Sequence, residues 1–376
     1  MRLDLGVVRR FRVHLIALLT LAACTSATTS TDAPAPPASA EPASDPAIVF
    51  VRSPDFESPG AVFSIAADGS DEREISEVWA EGAIVAPDGD RFAEPVQGDD
   101  GRITTAVFDG DGANRTVLSV PDPTLQLGVG AWSPDGASLL LEGWDDTDDT
   151  RDGLYLRAPS EDSYLRRMTD PGDGHDFPGP FSPDGSRILV YRTSEGDDDD
   201  AQMDLYLVRP YAGDPIRLNP AGTSTGLTLT TGTGWSPDGR RVAFVASDGR
   251  FSQDRRAVFV AAADGSDAER ITPWSGTSTV SWSPDGRWLA FDISDGGAGD
   301  LAVVHPDGSG LVAVTSSDDG RYSMGPVWSP DGASILFIRS EGAPDEADLW
   351  VTTVDAPEPV QLTDSPALYE GYAWLP

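Results

Sequence analysis

Lysine does not occur anywhere in this sequence: all 26 basic residues are arginine. Its absence excludes a lysine Schiff base and the lysine of a phosphate-binding P-loop. Cysteine occurs once, at Cys24, which excludes a disulfide within the chain. Of three histidines, His14 lies in the basic, apolar start, leaving His175 and His305 for any chemistry in the body of the protein. Positive charge as a whole is scarce. Asp and Glu number 62, and the formal charge of −36 repels a nucleic-acid backbone or an anionic lipid surface. Nucleic acid is therefore not an expected partner.

What is abundant is punctuation: 39 glycines and 31 prolines imply short strands separated by many turns. The punctuation repeats. WSPDG begins at Trp132, Trp235, Trp282 and Trp328, FSPDG at Phe181, and a worn APDG at Ala86. The aspartates of these phrases are Asp88, Asp135, Asp184, Asp238, Asp285 and Asp331, at intervals of 47, 49, 54, 47 and 46. Such a period with alternating apolar runs predicts an all-β fold, a β-propeller of four-stranded blades. One unit shows the strands, a to d: STVSWSP, RWLAFDIS, DLAVVHP and GLVAVTSS. Proline pre-sets φ, aspartate bonds its own backbone and glycine accepts positive φ, so Ser-Pro-Asp-Gly reads as a structural hairpin turn rather than a site. Seven strands of type b follow one another, from Ile48 to Ser334, and only the first lacks a hairpin before it. The missing strand a is found in GYAWLP, where Trp374 falls 46 residues after Trp328. Residues 47–376 are therefore expected to close as seven blades through their N- and C-terminal strands. Six blades is the alternative, because the unit around Arg91–Val96 is the least regular.

The stretch before the propeller reads as targeting. Arg2, Arg9, Arg10 and Arg12 precede the short apolar run VHLIALLTLAA, and Leu21-Ala22-Ala23-Cys24 resembles the lipobox of bacterial lipoproteins. Residues 1–23 are expected to be a signal peptide and Cys24 the lipid attachment. Residues 24–46, rich in Ser, Thr, Ala and Pro, are expected to be an extended tether. This predicts a protein outside the cytoplasm, anchored by lipid to the membrane of a bacterial cell envelope.

WSPDG followed by an apolar strand resembles the PDG-type, WD-like repeat of TolB-like propellers, also found in prolyl-oligopeptidase-type enzymes. The resemblance covers nearly all of residues 47–376. TolB carries an α/β domain before a six-bladed propeller, whereas the tether leaves no room for that domain and seven blades are expected here. The α/β-hydrolase domain of the oligopeptidases is not seen. The resemblance implies a monomeric scaffold that binds a protein or peptide of the cell envelope, without a cofactor. Two rival readings remain: an enzyme processing cell-wall polysaccharide or peptide with carboxylates at the propeller funnel, and a carbohydrate- or calcium-dependent adhesion module.

Strand alternation sorts the loops onto two faces. The a–b and c–d turns are short and share one, the hairpin face; the b–c loops and d–a links vary in length and share the other, the loop face, where binding is expected. Its candidate partner-binding residues are His175, Trp274, Tyr322 and Tyr369, with packing between blades as the competing role. Weak calcium candidates are Asp145, Asp146, Asp148, Asp198 and Asp199, with solvated loop tips as the simpler account. GTSTG at Gly222–Gly226 fits a hydrolase nucleophile pattern, but Gly276-Thr277-Ser278-Thr279 occupies the same place in the next unit, so Ser224 reads as repeat text. His305 is expected on the hairpin face and His175 on the loop face, too far apart for one metal site or dyad.

Overall fold

The computed structural model describes residues 47–375, apart from 54–59, 77–83, 88–89, 110–113, 194–202, 211–213, 226–232, 249–254, 295–298, 318–319, 341–345 and single positions 121, 162, 173 and 366. Cys24, the signal peptide, the tether, Asp88, Asp198 and Asp199 lie outside the described residues.

Seven antiparallel sheets of four strands stand in a ring. Blade 2 spans 84–117, blade 3 125–167, blade 4 175–217, blade 5 233–270, blade 6 280–313 and blade 7 322–361. In blade 6, strand a is Val280–Trp282, b Leu289–Ser294, c Gly299–Val304 and d Val312–Ala313. Blade 1 is composite. Its strand a, Leu368–Trp374, pairs antiparallel with strand b, Ala47–Ser53, with Ile48 opposite Trp374 and Phe50 opposite Tyr372. The ring thus has seven blades, and its closing sheet joins both ends of the propeller. The irregular unit around Arg91 is a complete blade whose strand a is only Ile84–Val85.

Strand b makes the core because both of its faces are covered by neighbouring blades. Phe50, Phe244, Phe291 and Phe337 occupy the same register in four blades and are fully buried. Each such ring contributes about 1.5–3 kcal/mol by leaving water. Leu189, Leu205 and Leu207 of blade 4 meet Val242, Phe244 and Phe259 of blade 5, and the pattern recurs around the ring.

The aromatic residue that ends strand a also latches blades together. The indole N–H of Trp282 donates to the Gly234 carbonyl of blade 5 at 3.0 Å. Trp235, Trp328 and Trp374 donate to Pro180, Ser281 and Val327 at 3.2 Å, and Trp132 to Ile84 at 3.4 Å. Every acceptor lies one residue before the corresponding anchor of the preceding blade. Blades 2 and 4 have Val85 and Phe181 at this place, which carry no such donor.

Candidate functional site

The hairpin face is closed in on itself. In each described Ser-Pro-Asp-Gly turn, the serine hydroxyl meets the aspartate at 2.6–2.7 Å: Asp135, Asp184, Asp238, Asp285 and Asp331. Each aspartate also accepts the amide two residues on, at 2.9–3.0 Å. The serine hydroxyl, first of all, holds Asp135, Asp184, Asp238 and Asp331 below the usual carboxylate range. Burial is the largest influence on Asp285 and acts upward, but Ser283 and the Arg287 amide outweigh it and its pKa also falls. The turn glycine needs its left-handed backbone, φ 69° at Gly286, and rests against Pro237 of the preceding blade. His305 lies on this face, stacked at 3.8 Å on Trp288.

The loop face treats its four candidates unequally. Two take the competing role of packing between blades. His175 is the first residue of strand a in blade 4 and is only 5% exposed, its Nε2 at 2.7 Å from Glu142 of blade 3 and its Nδ1 at 3.8 Å from Asp152. Tyr369 lies within strand a of blade 1, 7% exposed, with its hydroxyl at 2.7 Å from Thr363 and its ring tilted over Phe50. Both are buried because the strand starts earlier than the turn residues suggest, which draws them between blades. Trp274 and Tyr322 remain half-exposed. Trp274 extends an aromatic row from Phe244 and Phe259 and lies beneath two arginines, Arg270 at 4.9 Å and Arg255 at 5.9 Å from its ring. Tyr322 opens strand a of blade 7, its ring over Gly299 of blade 6. They belong to different blades and are not brought together as one pair.

Three of the acidic candidates, Asp145, Asp146 and Asp148, are engaged by protein donors. Asp145 ends strand b of blade 3 and is 3% exposed. It accepts from the Thr124 hydroxyl (2.6 Å), the Thr147 amide and hydroxyl (2.9 and 2.7 Å) and Arg151 (3.1 Å). Burial alone would raise its pKa, but these donors and the Arg151 charge bring it down to about 2. Asp146 accepts from Gln126, and Asp148 caps the short 3₁₀ turn Asp149–Arg151 through Thr150. No group of three or more His, Cys, Asp or Glu placed to hold a metal ion occurs among the described residues.

Ser224 is 2% exposed, its hydroxyl accepting the Met203 amide and donating to the Met203 carbonyl, which makes it a structural joint. Four further features escaped the sequence reading. Asp292 interrupts the apolar strand b of blade 6, where burial raises its pKa although Ser278 and Thr279 both donate to it. Asp176 holds Arg192 through two bonds of 2.6 and 2.8 Å. A Thr or Asn after strand d, namely Thr169, Asn219, Thr272, Thr315 or Thr363, accepts the amide at the start of strand c in its blade. The signal was present as Thr or Asn at one fixed place in five units. In blade 2 that place holds Ser119, whose hydroxyl turns to the Glu161 carbonyl of blade 3. Beside it is a groove of about 380 Å³ lined by Ile103, Thr104, Val117, Val120 and Leu125.

Comparison with known proteins agrees with this architecture. Residues 224–374 match the family described as TolB beta propeller domain. TolB from Acinetobacter baumannii is 20% identical over 76% of this chain and 66% of that one, with a TM-score of 0.44. The β-propeller domain of the Trilobed protease from Pyrococcus furiosus, described as having an open velcro topology, is 15% identical over 85% and 95%, TM-score 0.54. A prolyl endopeptidase structure is 14% identical over 85% of this chain and half of its own, TM-score 0.56. The family match and the two structures with TM-scores above 0.5 support a β-propeller fold similar to the TolB propeller.

Proposed function

We propose that this TolB-like propeller is a docking scaffold for a protein or peptide of the bacterial cell envelope, held outside the cytoplasm by lipid on Cys24. The observation that carries the reading is the contrast between the two faces. In each described Ser-Pro-Asp-Gly turn the serine and aspartate bond within the turn, whereas the loop face keeps Trp274 half-exposed between Arg255 and Arg270. A closed ring gives such a patch a rigid mount, and a net charge of −36 favours partners of net positive charge by long-range attraction.

The tether supports the same orientation. Ala47 starts strand b opposite Ala66, where strand c runs into its c–d turn, so strand b begins at the hairpin face. A lipid on Cys24 would turn that face to the membrane and the loop face away from it. The enzymatic reading has less to draw on: Ser224 is a joint, and Asp145 and Asp176 are engaged by protein donors.

Cross-linking of the full-length protein in cells of its source, followed by identification of what co-purifies, tests the proposal. The expected result is one envelope protein, retained by wild type and lost with Trp274→Ala/Tyr322→Ala. Retention or cleavage of wall fragments, with no protein partner, would overturn it in favour of the enzyme or glycan readings.

A further inference from the structure

The outermost strand of a propeller blade has no neighbour on its outer side, and such edges pair with foreign strands unless charge or proline guards them. Six blades here are guarded, at or directly beside strand d, by Arg73, Arg115, Arg166, Arg217, Glu269 and Pro359 in blades 1, 2, 3, 4, 5 and 7. Blade 6 is not. From Gly308 to Ser317 there is neither a charged residue nor a proline. Within that run Leu311 and Val312 are 45% and 44% exposed; among the described residues Val117 and Val360, on the guarded edges of blades 2 and 7, are as open.

The backbone is oriented to match. Val312 stands opposite Val303 and the Val314 amide donates inward to the Leu301 carbonyl. Antiparallel alternation then turns the amide and carbonyl of Leu311 and Ala313 outward, away from strand c. An outward row of this kind is completed by an extended chain, and only an extended chain reproduces its spacing.

We propose that the outer edge of blade 6 is a strand-addition site that takes an extended, β-branched segment of a partner protein flanked by basic residues. The apolar alternation of that segment would cover Leu311 and Val312. Basic flanks follow from the −36 charge of the chain and from Asp307, exposed in the turn that leads into the edge. The site lies on the rim of the ring, apart from the loop face, and does not depend on the docking role assigned there.

A dye-labelled heptapeptide of alternating Thr and Val between terminal arginines is the probe, titrated against the full chain by fluorescence anisotropy. Ala313→Pro removes one outward amide without removing a bond to strand c, and Val312→Arg installs the guard that other blades carry. Both positions are exposed, and an unchanged melting midpoint reports an intact fold. Binding at least tenfold weaker in both variants, unchanged in Trp274→Ala, is the expected result, together with slowed exchange of the 311 and 313 amides in the complex. No binding to wild type, equal binding to Ala313→Pro, or loss on Trp274→Ala would each overturn the site. Self-association of wild type that Ala313→Pro abolishes would overturn the occupant, making the edge a contact between copies.

Discussion

Replacing Trp374 by Phe tests whether the indole latches hold the ring. The change removes one donor, the N–H that reaches the Val327 carbonyl at 3.2 Å, and the outer part of an indole that is only 6% exposed. Loss of the hydrogen bond costs about 1–1.5 kcal/mol net, since the carbonyl stays buried beside an apolar ring. The vacated volume adds roughly 1 kcal/mol at about 24 cal/mol per Å³. The sum is on the order of 2–2.5 kcal/mol. Trp328→Phe deletes an equivalent bond, to Ser281, in the middle of the ring and is the matched control. Urea unfolding followed by fluorescence should move by a similar amount in both. Amide exchange should differ: Trp374→Phe should speed exchange along Leu368–Trp374 and Ala47–Ser53 selectively, because those strands form the closing sheet. A shift below about 0.5 kcal/mol, the usual level for neutral surface changes, would refute the latch as an energetic device. Equal exchange in both variants would refute its special place at the closure.

The converse holds at blade 4. Phe181→Trp places a donor opposite the carbonyl of Ala131, by the rule the five latches follow, and should stabilise by about 1 kcal/mol in the same urea assay. Gly325→Ala should cost 3 kcal/mol or more, on the order of the largest single-site losses, because φ there is +67° and a Cβ would stand 2.1 Å from the Tyr372 hydroxyl, which donates to Gly325; a melting scan reads it. Thr315→Val removes the acceptor of the Leu301 amide and should cost about 1–2 kcal/mol, again in urea. Acid sensitivity follows from the depressed carboxylates: a group whose folded pKa is lowered contributes stability above its unfolded value of 3.8 and loses it as pH falls through the folded value. Wild type should therefore weaken between about pH 4 and pH 2, and Asp145→Asn should flatten part of that loss while lowering stability at pH 7, as pH-dependent melting would record.

The ring was legible because its signals are local and repeated. A hairpin phrase every 46 to 54 residues, and a Trp374 spaced like the others, were enough to read seven blades and their closure. Even the worn copy at Ala86 became a blade: Arg91–Gln97 still pairs with Ile84–Val85 and Ile103–Asp109, although Glu94 stands where four other blades bury a phenylalanine. What alternation along one strand does not reveal is the blade beside it. The repeat shows Trp282 only as the start of a hairpin phrase, and the polar role of its indole exists only against Gly234. His175 and Tyr369 read as residues of the d–a links because turn residues precede them, yet strand a reaches them and Glu142 and Thr363 enclose them. Asp145 read as one more charge in an acidic loop, although Thr124, a neighbour only after folding, takes one of its oxygens.

The composite sheet sets the order in which the protein is able to mature. Ala47–Ser53 leaves the ribosome before any other strand of the ring, and its partner Leu368–Trp374 leaves after all of them. Until then blade 1 is one strand short, and the face of blade 7 that will receive Tyr372 and Trp374 is still bare. Six blades are thus in a position to form while the chain is still emerging, but the circle stays ajar throughout synthesis. A chain stopped short of residue 368 would keep every hairpin and lack only the clasp, leaving a sticky intermediate for proteases to find.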